Sequence, residues 1–254
     1  TYAYGDQIFA RGVEPLMRNA RLIEAAREVF GRPIVEPAIV YANILLPGQE
    51  LAVHTDVPEF RGLHRKLHPE WLIVVAHHSG LFDEYRMPIA TSVSWYQDTE
   101  GGEFAFYPDG IDRPAVAYDV HFISALVMDT DSVFHGVDRV AEHGETMPKL
   151  LPRMRLHPQG DGVWAVRDGD AEVARYRWDQ MRFSISWKAY CFRNEAERVA
   201  WRTGASALTI DRVLDRLCED LRARGRLGAE RPANRELAEL LVDEYVSFPP
   251  AMSS

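Results

Sequence analysis

The sequence contains little cysteine, no long apolar run and no excess of basic residues. Of its 254 residues only two are cysteines, Cys191 and Cys218, and their separation matches no cysteine metal site. Two unpaired thiols indicate a reducing compartment, so we expect a cytoplasmic protein. No segment approaches the ~18 apolar residues of a membrane-spanning helix. The formal net charge of −9 argues against nucleic-acid binding, which usually requires a basic face.

The remaining composition is typical of a soluble enzyme. A chain of this length can bury a substantial core, either as one barrel-like domain or as one domain with an appendage. The residues from Thr1 onward show no basic segment followed by an apolar one, so no secretory signal is expected. We therefore expect neither a nucleic-acid nor a membrane partner.

The hydrophobic pattern divides the chain into three parts. Apolar residues recur near helical spacing over residues 14–30, and Gly31 can end that helix. Residues 34–192 contain many short apolar or alternating runs between turn signals, among them Leu72–Ala76 and Val120–Met128, and these runs predict strands. From about residue 193 the pattern becomes helical. Many short strands with turn signals are typical of a double-sheet jelly roll.

Two histidines and one aspartate supply a possible metal-binding set. In a strand, residues i and i+2 point to the same side, so His54 and Asp56 can bind one ion while Thr55 points away. A third ligand, His135, lies far along the chain. Two imidazoles and one carboxylate hold non-haem Fe(II) on one face and leave the opposite face open. Nine histidines produce some such pairs by chance, so the pair alone does not establish a site.

A later strand carries a positive charge on one face. Alternation places Arg182 and Ser184 on one side of the strand and Phe183 and Ile185 on the other. A buried guanidinium needs an anion, because an unpaired buried charge is costly. That anion is either a small carboxylate ligand or a structural Asp or Glu, unless this face is solvated. Arg139, four residues after His135, is an alternative for the same role.

Four motifs follow one another in an order that resembles the Fe(II)/2-oxoglutarate-dependent oxygenases, in particular the prolyl-hydroxylase-like pattern. They are His54–Asp56, Gly101–Glu103, His135–Val140 and Arg182–Ser184. The resemblance covers roughly residues 35–192 and carries little information about the substrate. It implies a mainly β fold with flanking helices, built on a double-stranded β-helix (jelly-roll, cupin-like) core.

The resemblance also implies roles for particular residues. His54, Asp56 and His135 would hold Fe(II), while Arg182 and Ser184 would bind the far carboxylate of the co-substrate 2-oxoglutarate. With O2, such a centre hydroxylates an unactivated C–H bond and releases succinate and CO2. The enzyme class expected is therefore a dioxygenase that acts as a hydroxylase.

The chain departs from the family pattern at two places. Many relatives carry a tyrosine near Leu45–Leu46 that touches the co-substrate, and here Tyr41 or Asn43 would substitute for it. Between His135 and Arg182 the chain is longer than the family spacing needs. Within this excess, Asp168–Gly169 between two alternating runs predicts an inserted β-hairpin near residues 160–180. The hairpin either covers the site mouth, extends the fold or forms a dimer contact.

Several readings besides the favoured small-molecule hydroxylase remain open. Asp56 occupies the position that halogenating relatives vacate for chloride, which favours oxygen insertion or desaturation. The same ligands could hold zinc, but a zinc hydrolase would leave Arg182 and Ser184 unexplained. A protein side-chain hydroxylase and a non-catalytic jelly-roll protein also agree with the pattern. We predict a core over residues 1–192 and a helical extension over residues 193–254 packed on it, through which a homodimer could form.

Overall fold

The computed structural model describes residues 1–141 and 149–246, and shows a mainly β protein with flanking helices, as the sequence predicts. The strands are β1 (Ala3–Tyr4), β2 (Gln7–Ile8), β3 (Ile34–Leu45), β4 (Leu51–His54), β5 (Glu59–Phe60), β6 (Arg86–Met87), β7 (Ile89–Trp95), β8 (Phe104–Tyr107), β9 (Val116–Tyr118), β10 (Ser124–Met128), β11 (Phe134–Val137), β12 (Arg155–Gly160), β13 (Val163–Asp168), β14 (Ala171–Arg177) and β15 (Arg182–Phe192). The helices are α1 (Glu14–Met17), α2 (Ala20–Phe30), α3 (Glu70–Ser79), α4 (Glu195–Thr203), α5 (Ile210–Ala223) and α6 (Asn234–Tyr245). None of these helices is long and apolar enough to cross a membrane.

Two sheets contain the strands that matter for the site. The larger sheet has six strands in the order β10-β7-β15-β3-β1-β2, and the smaller has four in the order β4-β11-β8-β9. Strands that are neighbours in a sheet are often far apart in sequence, because the chain crosses between the sheets. A separate two-stranded sheet pairs β5 with β6.

A shared apolar core lies between the six-stranded sheet and the four-stranded sheet. Val93 and Trp95 of β7 and Met128 of β10 pack with Phe104 of β8 and Val137 of β11. All seven residues of β7 are buried, which agrees with a strand covered on both faces. Trp95 stacks on Tyr118 with ring centroids 5.4 Å apart and meets Phe104 edge-on at 5.8 Å. The larger sheet therefore presents its inner face to the smaller sheet across packed aromatic rings.

The sequence excess before β15 forms a small sheet of its own. β13 and β14 pair antiparallel with Asp168 opposite Ala171, and β12 adds a third strand. Gly169 has a φ of +61°, which explains why a glycine stands in this tight turn. Val166, Tyr176, Leu46 and Met181 form its apolar core. Whether the hairpin covers a site mouth stays a prediction.

The chain divides into two compact units. The first consists of Thr1–Val29, Pro37–Thr55 and Ala90–Ala189, and the second of Phe30–Glu36, Asp56–Ile89 and Tyr190–Ser254. The core of the second unit includes residues of α3, α5 and α6, such as Ile73, Leu217 and Leu241. The division predicted at residue 192 stays a prediction. The last residues of the predicted helical extension, 247–254, lie outside the described residues.

The structure differs from three local predictions. The strand predicted at Leu72–Ala76 is wrong: the run lies within α3, which ends where Gly80 adopts a left-handed φ of 68°. A short apolar run does not distinguish a buried strand from a buried helix. The helix predicted over residues 14–30 is divided, because the Asn19 side chain accepts hydrogen bonds from the first turn of α2. The run Val120–Met128 forms a strand only from Ser124 onward.

A glycine in β11 permits the close pairing of β4 with β11. A Cβ at Gly136 would lie 2.8 Å from the Leu51 carbonyl oxygen. We therefore expect Gly136→Ala to lower the free energy of unfolding by about 1–3 kcal/mol, the usual cost of overpacking. Urea denaturation followed by tryptophan fluorescence measures the change. Gly228→Ala is the matched control, since a Cβ there meets nothing within 4 Å; equal stability of the two variants would contradict the prediction.

Candidate metal centre

The pairing of two strands brings two distant histidines together. His135 near the start of β11 is the direct partner of His54 at the end of β4. Residues directly opposite in an antiparallel pair point to the same face. Their ring centroids accordingly lie 4.5 Å apart, with 48° between the ring planes. Strand register therefore positions both imidazoles, although 80 residues separate them in the sequence.

Backbone contacts leave the same nitrogen available on each ring. The His54 Nδ1 atom lies 2.8 Å from the Ala52 carbonyl oxygen, and the His135 Nδ1 atom lies 3.0 Å from the Val133 carbonyl oxygen. A carbonyl oxygen only accepts hydrogen bonds, so each Nδ1 carries a proton and donates it. Each Nε2 atom of the neutral rings then keeps its lone pair, which is the arrangement that metal-binding histidines require.

Asp56 completes a group of three potential ligands. It lies two residues after His54, just beyond the end of β4, and each of the three residues offers a ligand atom within 4.8 Å of the others. His135 is buried, whereas His54 and Asp56 are partly exposed. The strand predicted through Asp56 thus stops short of it, but the three side chains do lie together. Two neutral nitrogens and one carboxylate oxygen suit Fe(II) and other divalent transition metals.

Arg182 is a buried cation at the start of β15. Its side chain is 2% exposed, and burial lowers its pKa to about 10, an effect that Glu103 partly offsets. The guanidinium is therefore still protonated at neutral pH. Its Nε donates to the Gly102 carbonyl oxygen at 2.7 Å. Its Nη2 is buried and has no hydrogen-bond partner among the described residues.

The inner face of β15 continues with small polar side chains. Ser184 and Ser186 are 1% and 3% exposed, as alternation from Arg182 requires. Ser186 accepts a hydrogen bond from the Asn43 side-chain amide at 3.0 Å. A polar strip therefore runs along this strand inside the protein. The predicted segregation of Arg182 and Ser184 to one buried face is confirmed.

Gly102 makes the position of Arg182 possible. It has a φ of +72°, and a Cβ there would lie 2.7 Å from Arg182 Cδ. Only glycine combines that backbone conformation with so close an approach. The Gly-Gly-Glu motif thus sets the guanidinium in place, a role that the sequence pattern did not reveal.

Arg139, the alternative cation, lies at the surface. Its side chain is 62% exposed, and its Nε lies 3.4 Å from the Glu50 carboxylate. A solvent-exposed pair of this kind contributes little energy. Of these two arginines, Arg182 is therefore the one whose charge is buried.

A chain of aromatic contacts connects the metal group with Arg182. Phe104 lies between His135 and Trp95, with ring centroids 5.7 and 5.8 Å away respectively. The Cζ atom of Arg182 lies 5.7 Å from the Trp95 ring centroid. His135 and Arg182 therefore border the same packed interior between the six-stranded and the four-stranded sheet.

Comparisons with known proteins give structural matches only. No protein-family model and no curated protein matches the sequence. One similar solved structure is a 2OG-Fe(II) oxygenase family oxidoreductase from Burkholderia pseudomallei, with a TM-score of 0.41 and 13% identity over 76% of this chain. The chain spans 66% of the length of that protein.

A second similar structure is a Pseudomonas putida prolyl-4-hydroxylase, with a TM-score of 0.37 and 11% identity. That match covers 76% of this chain and 71% of the other. Both TM-scores lie below 0.5, which is too low to establish a shared fold or activity.

The arrangement of the three ligands predicts which substitutions abolish metal binding. His54→Ala, Asp56→Ala and His135→Ala should each weaken binding of Fe(II) or Zn(II) by at least about tenfold to a hundredfold, because even an outer-shell partner is worth that much. Anaerobic isothermal titration calorimetry measures the affinity. His157→Ala, at an exposed position of β12, is the control and should bind as the wild type does. Wild-type affinity in all three ligand variants would contradict the assignment.

Proposed function

We propose that this protein is an Fe(II)- and 2-oxoglutarate-dependent oxygenase that hydroxylates an unactivated C–H bond of a small molecule, with release of succinate and CO2. The observation that carries the proposal is one interior bordered by a His-Asp-His group and by a buried guanidinium whose Nη2 has no hydrogen-bond partner among the described residues. A metal site alone is compatible with many reactions. A metal site with a buried cation nearby favours a co-substrate that binds the metal at one end and carries an anion at the other.

The strand order supports a jelly roll as the scaffold. Along the chain, β3, β7, β10 and β15 belong to the larger sheet, and β4, β8, β9 and β11 belong to the smaller one. The chain crosses repeatedly between two sheets that share an apolar core. We infer a double-stranded β-helix, in which β4 and β11 bring the metal ligands together and β15 brings the arginine.

The residues present fit the groups that this reaction needs. His54, Asp56 and His135 would hold Fe(II), each histidine through the Nε2 atom that its backbone contact leaves available. Arg182 would bind the distal carboxylate of 2-oxoglutarate with its terminal nitrogens, while its Nε stays on the Gly102 carbonyl oxygen and fixes the plane of the guanidinium. When bound, Fe(II), 2-oxoglutarate and O2 together supply the oxidising chemistry.

The protein environment favours binding of an anion at this depth. Because the Arg182 charge is buried, its attraction for a carboxylate is screened less than at the surface. Ser184, two residues further along the same face, can add a hydroxyl donor. The buried aromatic side chains of Phe104 and Trp95 lie beside His135 and Arg182 respectively. These residues would position the co-substrate.

The remaining assignments are part of the same proposal. The acidic net charge weakly favours a small-molecule substrate over a protein partner, and a cytoplasmic location would keep the iron ferrous. Tyr41 and Asn43 lie on β3, next to β15 in the sheet, and Asn43 contacts the polar strip through Ser186. We propose these two side chains as contacts of the co-substrate or substrate. A homodimer through the C-terminal helices remains a prediction.

Substitution of the two arginines tests the co-substrate assignment. Arg182→Ala should raise the 2-oxoglutarate concentration required for half-maximal succinate release by about tenfold to a hundredfold, since a hydrogen bond to a charged group contributes about 1.5–3 kcal/mol. Arg139→Ala is the matched control and should leave that concentration unchanged. Succinate release in the absence of added substrate provides the assay. An unchanged requirement in Arg182→Ala, or an increase only in Arg139→Ala, would contradict the assignment.

A further inference from the structure

The indole N–H of Trp95 is a buried donor that has no acceptor among the described residues. The Trp95 side chain is fully buried, and its Nε1 has no hydrogen-bond partner within the described part of the chain. Buried polar groups in native proteins are nearly always hydrogen-bonded, because an unmade bond costs free energy. A buried tryptophan N–H accordingly finds an acceptor in most structures. A bound ligand with an oxygen acceptor would satisfy this N–H.

Trp187 is a buried tryptophan whose indole N–H makes a structural hydrogen bond. It is equally buried, on the opposite face of β15 from Arg182, and its Nε1 donates to the Met17 carbonyl oxygen at 3.0 Å. Among the described residues of the first unit, the packing thus provides an acceptor for Trp187 and none for Trp95. The difference lies in where the two indoles are placed.

Trp95 lies beside a second donor in the same condition. The Arg182 Cζ atom is 5.7 Å from the Trp95 ring centroid, and the Arg182 Nη2 is also buried without a partner in the residues described. β7 and β15 are neighbours in the larger sheet, so the two side chains project from adjacent strands. One anion with two acceptor oxygens, bound beside both side chains, would accept a hydrogen bond from the neutral donor and from the cationic donor. A carboxylate has this form.

We propose that the Trp95 indole N–H donates a hydrogen bond to the distal carboxylate of the dicarboxylic co-substrate, beside Arg182 and Ser184. This inference rests on the proposed function and adds a specificity-determining residue to it. Arg182 supplies the charge, while Trp95 adds a donor of fixed direction within a rigid aromatic core. The site then distinguishes a 2-oxo dicarboxylic acid from a 2-oxo monoacid of the same length by more than charge attraction alone.

A comparison of two ligands with three proteins tests the proposal. Wild type, Trp95→Phe and Trp187→Phe are loaded anaerobically with Fe(II) and titrated calorimetrically with 2-oxoglutarate and with 2-oxopentanoate, which lacks the distal carboxylate. Trp95→Phe should bind 2-oxoglutarate about tenfold more weakly than wild type, the scale of one hydrogen bond to a charged group. Its affinity for 2-oxopentanoate should be unchanged. Trp187→Phe should leave both affinities as they are in the wild type.

The outcomes separate this inference from the proposed function. A wild type that prefers 2-oxoglutarate, with the same preference in Trp95→Phe, overturns the role of Trp95 and leaves the oxygenase proposal standing. A wild type that binds neither ligand, or both equally, overturns both. An equal loss in Trp95→Phe and Trp187→Phe assigns the effect to general loosening of the core and also overturns the role of Trp95.

A second measurement covers the case in which Trp95→Phe does not fold. The sequence contains six tryptophans. In 15N-labelled Zn(II) protein, the Trp95 indole N–H resonance is identified as the one that disappears when 3-benzothienylalanine stands at position 95. This analogue has sulfur in place of the N–H and keeps the ring shape. The resonance should move downfield when 2-oxoglutarate is added and stay in place when 2-oxopentanoate is added. If the protein binds 2-oxoglutarate and the chemical shift of this resonance does not change, the proposal is overturned.

Discussion

The buried positive charge of Arg182 is the constraint on which the account of this protein depends. A guanidinium that is 2% exposed has lost its hydrogen bonds to water and needs fixed partners that replace them. The protein supplies the Gly102 carbonyl oxygen on Nε and, through Glu103, a favourable field. It supplies no hydrogen bond to Nη2 among the residues described. A side chain held so firmly on one side and left unsatisfied on the other is suited to binding an anionic ligand.

The metal group depends on a different kind of interaction, the backbone register between β4 and β11. Because His54 and His135 are opposite partners, a slip of one residue would turn one imidazole to the other face of the sheet. Backbone carbonyl oxygens then orient both rings through Nδ1. The potential ligands are thus positioned by main-chain geometry, whereas Arg182 is positioned by close packing against Gly102 and Trp95. Phe104, in contact with both His135 and Trp95, joins the two arrangements.

Features whose pattern is local could be predicted from the sequence, whereas features that depend on tertiary contacts could not. Alternation in β15 identified the buried face of Arg182, and the spacing of His54 and Asp56 identified two potential ligands. The run Leu72–Ala76 was ambiguous, since only its packing in the second unit makes it helical. Two features depend on the close approach of strands: the contact of Gly102 with Arg182, and the Trp95 indole N–H that lacks an acceptor among the described residues. No single-sequence pattern contains them.

The most direct test of the central claim is an anaerobic titration followed in the visible spectrum. Metal-free protein receives Fe(II) first and 2-oxoglutarate second, and each component is then added alone in a parallel experiment. We predict a weak charge-transfer band that requires both additions, because the metal group and the arginine border one interior. Absence of the band, with binding of both components verified independently, would contradict the account and favour a different metal or a non-catalytic role.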